Sequence, residues 1–360
     1  MKILKLLLPA SITIGVLAVT GCSQTDEPSG DLAIDDNAIR FAANTELSRS
    51  GDITTNNLRS FNVYAYTGSD KTIYMDNVTV TKTGTNAWTY SPLRYWPAGE
   101  TVDFYAFAPA SWVASSGPLA PVPYDCTTAT EDIIYAVNPG LSGFSGSANA
   151  QVVFNFRHAL SKVTLLMRSS NDGIVVKVSN VALVNILRKG NFNFPAKSTT
   201  GGVTDGNLGT WSDLSVETVY PYHISQDAND LITLSTTPTN MEDTGMGLGG
   251  GKFLLPQPLT WRSNGRGNDN YITVMCSVYD ATTGTKLWPN ANTPEENIVA
   301  GSTFGDGLLK FPLLTSTFSA WLPGYHYTYN LTINGNEEMG AIEFGNPTVD
   351  TFVDVTADFE

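Results

Sequence analysis

The stretch LRSFNVYAY, residues 58–66, decides the fold class because its side chains alternate at a period of two. Apolar residues alternate with polar or aromatic neighbours at Leu58, Phe61, Val63 and Ala65, and the alternation is out of phase once, at Phe61. Successive side chains of a β-strand point to opposite faces of its sheet, so this pattern predicts a strand.

The same kind of pattern recurs along the chain, and no stretch shows sustained helical periodicity. Many short strands separated by glycine and proline turn signals predict an all-β fold built from sandwiches. About 340 residues remain after a leader is removed, which exceeds one ordinary core and predicts two domains, with a junction near Arg157 and His158. The other predicted strands are 38–43, 73–81, 88–90, 101–107, 133–137, 151–156, 159–168, 174–187, 191–194, 231–236, 252–255, 271–279, 325–334, 341–344 and 349–356.

The first 21 residues are typical of a secretory signal peptide. Lys2 and Lys5 precede an apolar run that is shorter than the roughly 20 residues needed to span a bilayer. The stretch Val19–Cys22, VTGC, resembles a bacterial lipobox, in which the cysteine is acylated and becomes the new N-terminus. We therefore expect Cys22 to carry lipid, and the polar residues 23–36 to form a tether.

The amino-acid composition of the chain limits the kinds of partner that it can bind. The formal net charge of −14 disfavours binding to nucleic acid or anionic lipid through the general field of the protein. Cys126 and Cys276 remain once Cys22 is acylated. Two cysteines do not make a disulfide scaffold, so they either pair with each other or lie buried as free thiols.

No motif predicts catalysis, a metal or a cofactor. His158, His223 and His326 lie far apart in the sequence, and no metal or nucleophile motif accompanies them. The stretch Gly245–Gly250, GMGLGG, matches the spacing of a dinucleotide fingerprint. That site requires a helix after the glycines, whereas a predicted strand follows here, so we interpret the stretch as a hairpin loop.

Two further residue types have both a structural and a functional interpretation. The acidic pairs Glu242/Asp243 and Glu337/Glu338 are predicted to be solvated loop acids. Trp112, in a loop, is a candidate sugar-binding platform. Large aromatics at strand edges more often fill a sandwich core, which is the interpretation favoured for Trp88, Tyr95, Trp96 and Trp321.

Six segments together resemble the fimbrillin family of Bacteroidetes lipoproteins, the type V pilins and their accessory subunits. No single segment is specific, but their order and spacing extend across nearly the whole chain. The segments are 57–66 (NLRSFNVYAY), 88–97 (WTYSPLRYWP), 102–109 (VDFYAFAP), 156–163 (FRHALSKV), 253–257 (FLLPQ) and 324–333 (GYHYTYNLTI).

The resemblance implies two tandem transthyretin-like Greek-key β-sandwich domains and assembly by strand exchange. A removable N-terminal strand would fill a groove until a trypsin-like or Arg-specific protease removes it, and a strand from a neighbouring subunit would then replace it. The expected processing site lies between Arg49 and Ser50. Arg40 and Arg59 are less suitable because they lie in or beside predicted strands. The candidate donor strand contains Val349, Phe352, Val353 and Val355; alternatively, that strand completes its own domain.

These interpretations divide the chain into a signal peptide (1–21), a lipidated tether with a removable strand (22–49), and two sandwich domains (50–157 and 158–360, with a donor strand at 341–360). The expected function is that of a structural fimbrial subunit, not an enzyme, carried to the outer membrane by lipid on Cys22. The expected partners are other pilin subunits and the processing protease. The alternatives are a fimbrial tip or anchor protein, or a surface lipoprotein that binds a host glycan or protein.

Overall fold

The computed structural model of the chain describes residues 38–45, 53–54, 57–84, 87–113, 117–143, 151–198, 208–242, 251–262, 265–335 and 348–351. Every described residue belongs to one compact unit, Asp36–Glu360. No helix among those residues is long and apolar enough to cross a membrane.

The fold is all-β, as predicted, with a single-turn 3₁₀ helix at Glu295–Asn297. The strands are β1 Arg40–Thr45, β2 Ser60–Thr67, β3 Thr72–Lys82, β4 Trp88–Thr89, β5 Val102–Ala108, β6 Val122–Asp125, β7 Ile134–Leu141, β8 Gln151–His158, β9 Ser161–Ser169, β10 Ile174–Asn193, β11 Thr210–Ile224, β12 Ile232–Leu234, β13 Thr239–Asn240, β14 Lys252–Leu254, β15 Tyr271–Asp280, β16 Lys286–Trp288, β17 Gly307–Pro312, β18 Tyr325–Ile333 and β19 Thr348–Thr351.

The described strands form three sheets. The first has the order β1-β8-β7-β5-β2-β3-β4. The second has the order β11-β10-β15-β16, with β6 and β12 also pairing with β10 and β17 pairing with β15. The third has the order β13-β9-β18-β19, and β14 also pairs with β9. The chain passes from the first sheet to the third between β8 and β9.

Strand β2, in the first sheet, is buried on both of its faces. Phe61, Val63 and Ala65 belong to one hydrophobic core, whereas Tyr64 and Tyr66 belong to a second core shared with the other two sheets. The period-two alternation predicted a strand correctly, but it separates two apolar environments instead of core from solvent. The first sheet therefore packs against the second half of the chain.

Several elements differ from the sequence predictions, and the short strands β6, β13, β16 and β17 were not predicted. The predicted strands 174–187 and 191–194 are one strand, β10, with irregular register and Asn185 at φ 61°. Strand β11 was also not predicted, because Pro221 and two acidic residues, Asp213 and Glu217, interrupt its pattern. A proline lacks the amide that pairs with a neighbour, and it is tolerated here because β11 is an edge strand.

Candidate functional site

Strand β1 fills an apolar groove at the edge of the first sheet. It pairs in parallel with β8, with Arg40 opposite Gln151 and Thr45 opposite Phe156. The Gln151 side chain also donates a hydrogen bond to the Phe41 carbonyl at 3.0 Å. Parallel pairing is characteristic of a strand that is not connected to its neighbour by a tight turn.

One face of β1 is buried in the first core. Ile39, Phe41 and Ala43 have exposures of 0, 2 and 6%, whereas Arg40 and Ala42 between them are partly exposed. This alternation allows β1 to cover a core on one side while its other side remains accessible.

Phe41 is the central side chain of this contact. Its ring centroid lies 5.1 Å from Tyr90, 5.5 Å from Phe154, 5.9 Å from Phe104 and 6.4 Å from Phe61. Edge-to-face and offset aromatic pairs at these distances add to the stabilisation that comes from buried area. Removing β1 would uncover these rings together.

The opposite border of the groove is the segment after β4. The Ile39 amide donates to the Arg94 carbonyl at 2.9 Å, and the Tyr90 hydroxyl donates to the Ile39 carbonyl at 2.9 Å. Ala38 also forms an antiparallel bridge with Tyr95. On one side β1 pairs with β8, and the two residues just before β1 bond to this segment. No sequence pattern indicated that Tyr90 or Arg94 would contact this strand.

After β1, the described part of the chain resumes at Ile53, and a buried carboxylate holds the backbone amide of this residue. The Ile53 amide donates to Asp132 Oδ2 at 3.0 Å, and His158 Nδ1 lies 2.8 Å from the same oxygen. Asp132 and His158 are both buried. The structure thus fixes the chain on both sides of the expected processing site.

The predicted processing residues Arg49 and Ser50, and the lipidation residue Cys22, lie outside the described residues, so they stay predictions. Arg40 lies within β1, and Arg59 is exposed immediately before β2, as expected.

At the other end of the chain, β19 pairs antiparallel with β18, with Val349 opposite Tyr327. It lies at the edge of the third sheet. This pairing matches the alternative in which the strand completes its own domain. Phe352, Val353 and Val355 lie outside the described residues, and the donor-strand role of the segment stays a prediction.

Comparison with known proteins identifies the family. A model of the fimbrillin-like family matches residues 48–350. The chain belongs to the fimbrillin-like family. No curated protein sequence matches significantly.

Comparison with solved structures found fimbrial and cell adhesion proteins from Bacteroides and Porphyromonas. A fimbrial protein from Bacteroides vulgatus has 15% identity to this fimbrillin-like chain and a TM-score of 0.53, over 87% of this chain and 99% of the other. A candidate cell adhesion protein from Bacteroides uniformis has 16% identity and a TM-score of 0.49, over 88% and 99%. The fimbrial anchor protein Mfa2 from Porphyromonas gingivalis has 9% identity and a TM-score of 0.36, over 87% and 98%.

The interpretation of Trp112 as an exposed sugar platform is wrong for this fimbrillin-like chain. Trp112 is 5% exposed, and its ring centroid lies 5.1 Å from Phe192, 5.7 Å from Phe194 and 6.4 Å from Phe107. It packs between the two halves of the chain, so its loop position in the sequence was misleading.

The other aromatics predicted to be core residues divide into two groups. Trp96 and Trp321 are buried, and Trp88 packs partly buried against the first core. Tyr95 is 41% exposed, so the core interpretation is wrong for that residue.

The histidines and cysteines of this fimbrillin-like chain lie in different local environments. His326 Nε2 lies 2.8 Å from Thr164 Oγ1, and His223 Nε2 lies 2.9 Å from Ser225 Oγ. No group of three potential metal ligands occurs among the described residues. Cys126 and Cys276 are buried free thiols. Burial raises the pKa of both, that of Cys126 to about 12.

One acidic residue was misjudged from the sequence. Glu242 is 8% exposed, so its interpretation as a solvated loop acid is wrong. Its carboxylate lines a cavity with Tyr222 and Lys252. Asp243, the glycine-rich stretch Gly245–Gly250, and Glu337/Glu338 lie outside the described residues.

Proposed function

We propose that this chain is a structural subunit of surface fimbriae, exported as a lipoprotein and polymerised by protease-triggered strand exchange. In this scheme β1 is the removable strand. Cleavage between Arg49 and Ser50 releases residues 22–49 together with the lipid on Cys22, and an extended segment of a neighbouring subunit then occupies the groove. The contact that supports the proposal is the burial of Ile39, Phe41 and Ala43 between β8 and the segment around Tyr90.

The exchange has a physical driving force. Loss of β1 leaves unpaired backbone groups on β8 and exposes the rings around Phe41, and both changes raise the free energy of the subunit. A donated strand with alternating apolar residues restores the backbone pairs and covers the rings. Because the donor and acceptor surfaces lie at different places on each subunit, repeated contacts extend a filament.

The buried Asp132 supports cleavage without collapse. Its hydrogen bond to the Ile53 amide holds the chain beyond the cleavage site independently of β1. The new N-terminus at Ser50 would therefore remain attached to the first sheet while β1 is free to leave. Partners in this scheme are other fimbrial subunits, a trypsin-like or Arg-specific protease, and the outer membrane before cleavage.

Limited proteolysis of the purified precursor tests the scheme. Trypsin is added in mild detergent, the products are sequenced from the N-terminus, and assembly is followed as detergent-resistant ladders on gels. We expect a product that begins at Ser50 and ladders that grow with protein concentration. An Arg49→Ala precursor is the matched control and should remain monomeric under the same treatment.

The same variant also distinguishes a polymerising subunit from a fimbrial anchor. If Arg49→Ala precursor enters fimbriae normally in cells and retains lipid on Cys22, the chain is an anchor and the cleavage step is refuted. If wild-type precursor is only degraded, or stays monomeric after cleavage at Ser50, the polymerising-subunit function is refuted.

A further inference from the structure

The groove that holds β1 sets a strict requirement at one position. Phe41 is 2% exposed, and its ring packs against four other aromatic rings. Protein cores are close-packed, so a shorter side chain at such a site leaves a void that weakens the contact. A strand that replaces β1 should therefore present an aromatic residue at this site, and an aliphatic residue two positions earlier, at the site of the fully buried Ile39.

One other segment of the chain meets this requirement. Residues 341–344, AIEF, differ at one position from residues 38–41, AIRF. The sequence Ile-x-Phe occurs in the chain at these two places only. The difference is Glu343 in place of Arg40, which is partly exposed between the two buried side chains. The charge therefore changes sign at a position that the groove does not enclose, whereas both enclosed residues are kept.

The hydrogen bonds that border the groove reach the backbone of the bound segment. Arg94 and Tyr90 contact the amide and the carbonyl of Ile39, and the Gln151 side chain donates to the carbonyl of Phe41. Backbone groups are the same in every residue except proline, which lacks the amide hydrogen. A segment that runs in the same direction as β1 would therefore keep all three hydrogen bonds, whatever its side chains.

A second segment near the C-terminus fits the groove less well. Residues 353–357, VDVTA, also place an apolar residue at every second position. In the matching register Val355 would occupy the Phe41 site, and its side chain is smaller than a phenylalanine ring, so part of the site would stay empty. The AIEF segment fills this site and departs from β1 further along, where Asn346 would replace Ala43. The phenylalanine buries more apolar surface than the alanine, so the Phe41 site decides between the two segments.

The place of the AIEF segment in the chain suits a donated arm. It lies between β18 and β19, and β19 is a strand of 4 residues that pairs with β18 at the edge of the third sheet. A short edge strand has few backbone pairs to lose, so it opens at a lower cost than an interior strand. Release of β19 would free the chain after β18 as an arm that carries residues 341–344.

We infer that residues 341–344 of one subunit replace β1 in the next subunit, in parallel register with β8. Ile342 and Phe344 take the two sites that Ile39 and Phe41 leave. This inference rests on the proposed function, and it moves the donor from the candidate residues named above to an earlier segment. Each subunit thus carries, near its C-terminus, a copy of the segment that it displaces.

Truncation of the copied phenylalanine tests the inference. After trypsin treatment, Phe344→Ala precursor should form detergent-resistant ladders at least about tenfold more slowly than wild type, because its donated segment leaves the Phe41 site empty. Phe352→Ala is the matched control, since it truncates another phenylalanine of the C-terminal segment, and it should assemble at the wild-type rate. The groove of Phe344→Ala is unchanged, so tagged copies of this variant should still enter wild-type ladders as acceptors.

The outcomes distinguish this inference from the proposed function. If wild-type precursor forms no ladders, the proposed function is refuted. If wild type assembles and Phe344→Ala assembles equally fast, or if Phe352→Ala is the slow variant, only the inference is refuted. Exclusion of tagged Phe344→Ala chains from wild-type ladders would also refute it, because a defect in donation leaves the acceptor groove intact.

A disulfide between subunits tests the register. Arg40 lies opposite Gln151, so Glu343 should take this place in the assembled subunit. Facing Cα atoms of paired strands lie about 4.8 Å apart, within the roughly 4.4–6.8 Å that a disulfide spans. Oxidation of cleaved Gln151→Cys/Glu343→Cys chains should therefore link neighbouring subunits on non-reducing gels.

The matched control for this cross-link is Gln151→Cys/Asp354→Cys, which should stay unlinked. Asp354 would lie opposite Gln151 if residues 353–357 filled the groove. Linking through position 354, or no linking through position 343 in chains that assemble, would overturn the inference.

Discussion

Phe41 combines two functions at the scale of one residue. It contributes to the stability of the first core, and it retains a strand whose removal we propose to start assembly. A small side chain at this position would pair equally well through the backbone but would leave a void among Phe61, Phe104 and Phe154.

We therefore expect Phe41→Ala to lower the free energy of unfolding by about 3 kcal/mol, the typical cost of truncating a buried phenylalanine. Denaturant unfolding of the precursor measures this change. Ala42→Ser, at the partly exposed neighbouring position, should change the value by less than about 0.5 kcal/mol. Equal effects of the two substitutions would contradict the burial of Phe41.

Asp132 permits a second test at this scale. Its Oδ2 atom accepts from the Ile53 amide and contacts His158, so Asp132→Ala should remove both interactions and cost about 2 kcal/mol in denaturant unfolding. Glu131→Ala is the matched control, because Glu131 is the exposed acid next to it. Similar losses for both variants would show that the buried hydrogen bonds do not stabilise the chain.

The buried thiols give an expectation about pH. Burial raises the pKa of Cys126 from 9.0 to about 12 and also raises that of Cys276. A raised pKa means that the folded state favours the protonated thiol. The associated stability is therefore complete below about pH 9 and is lost as the pH rises toward 12.

Both cysteines should resist a thiol reagent at pH 8 in the native chain and react fully in denaturant. Absorbance of the released chromophore measures the number of reactive thiols. Denaturant unfolding should show a decrease in stability between pH 9 and pH 11. Rapid labelling of either cysteine in the native chain would contradict its burial.

At the scale of the element, we expect β1 to bind its groove as a separate peptide if cleavage releases it as we propose. A synthetic peptide of residues 38–45, AIRFAANT, should slow the growth of detergent-resistant ladders after trypsin treatment, because it competes for the β8 edge. The same peptide with Phe41→Ala should have little effect. Gel densitometry over time measures both, and equal inhibition by the two peptides would refute side-chain recognition.

Elements also show how far the sequence could predict this fold. Strands β2 and β5 were predictable because their alternating residues reflect the two faces of a strand. Strand β11 was missed because Pro221 and two acidic residues interrupt its alternating pattern, and much of the strand contacts solvent. The burial of Glu242 and Trp112 could not be predicted, because it depends on segments that are distant in sequence. The resemblance to fimbrillins did predict the family.

At the scale of the molecule, the two halves share structure. Strand β6, from the first half, pairs with β10, and Trp112 packs against Phe192 and Phe194. Tyr64 and Tyr66 of β2 belong to a core that is mostly built by the second half. The division into domains at residue 157 stays a prediction. These contacts would be lost if the two domains were separated, so they affect whether either domain would be stable alone.

We expect residues 36–360 to unfold in a single cooperative transition, because separating the halves would expose the aromatic side chains between them. Differential scanning calorimetry of the full chain, compared with fluorescence of its tryptophans, measures this. We also expect an isolated fragment 50–157 to aggregate. Two separate calorimetric transitions, or a soluble folded fragment, would contradict the shared core.

The parallel pairing of β1 with β8 has a consequence for the order of folding. The Gln151 side chain reaches the Phe41 carbonyl across 110 positions of sequence, so β1 has no local partner early in folding. Closing so long a loop is entropically unfavourable until the rest of the sheet has formed, so β1 should dock last. A strand that docks last at the edge of a sheet can also dissociate first, because none of its neighbours needed it in order to fold. Maturation would then retrace the final folding step and leave the earlier ones intact.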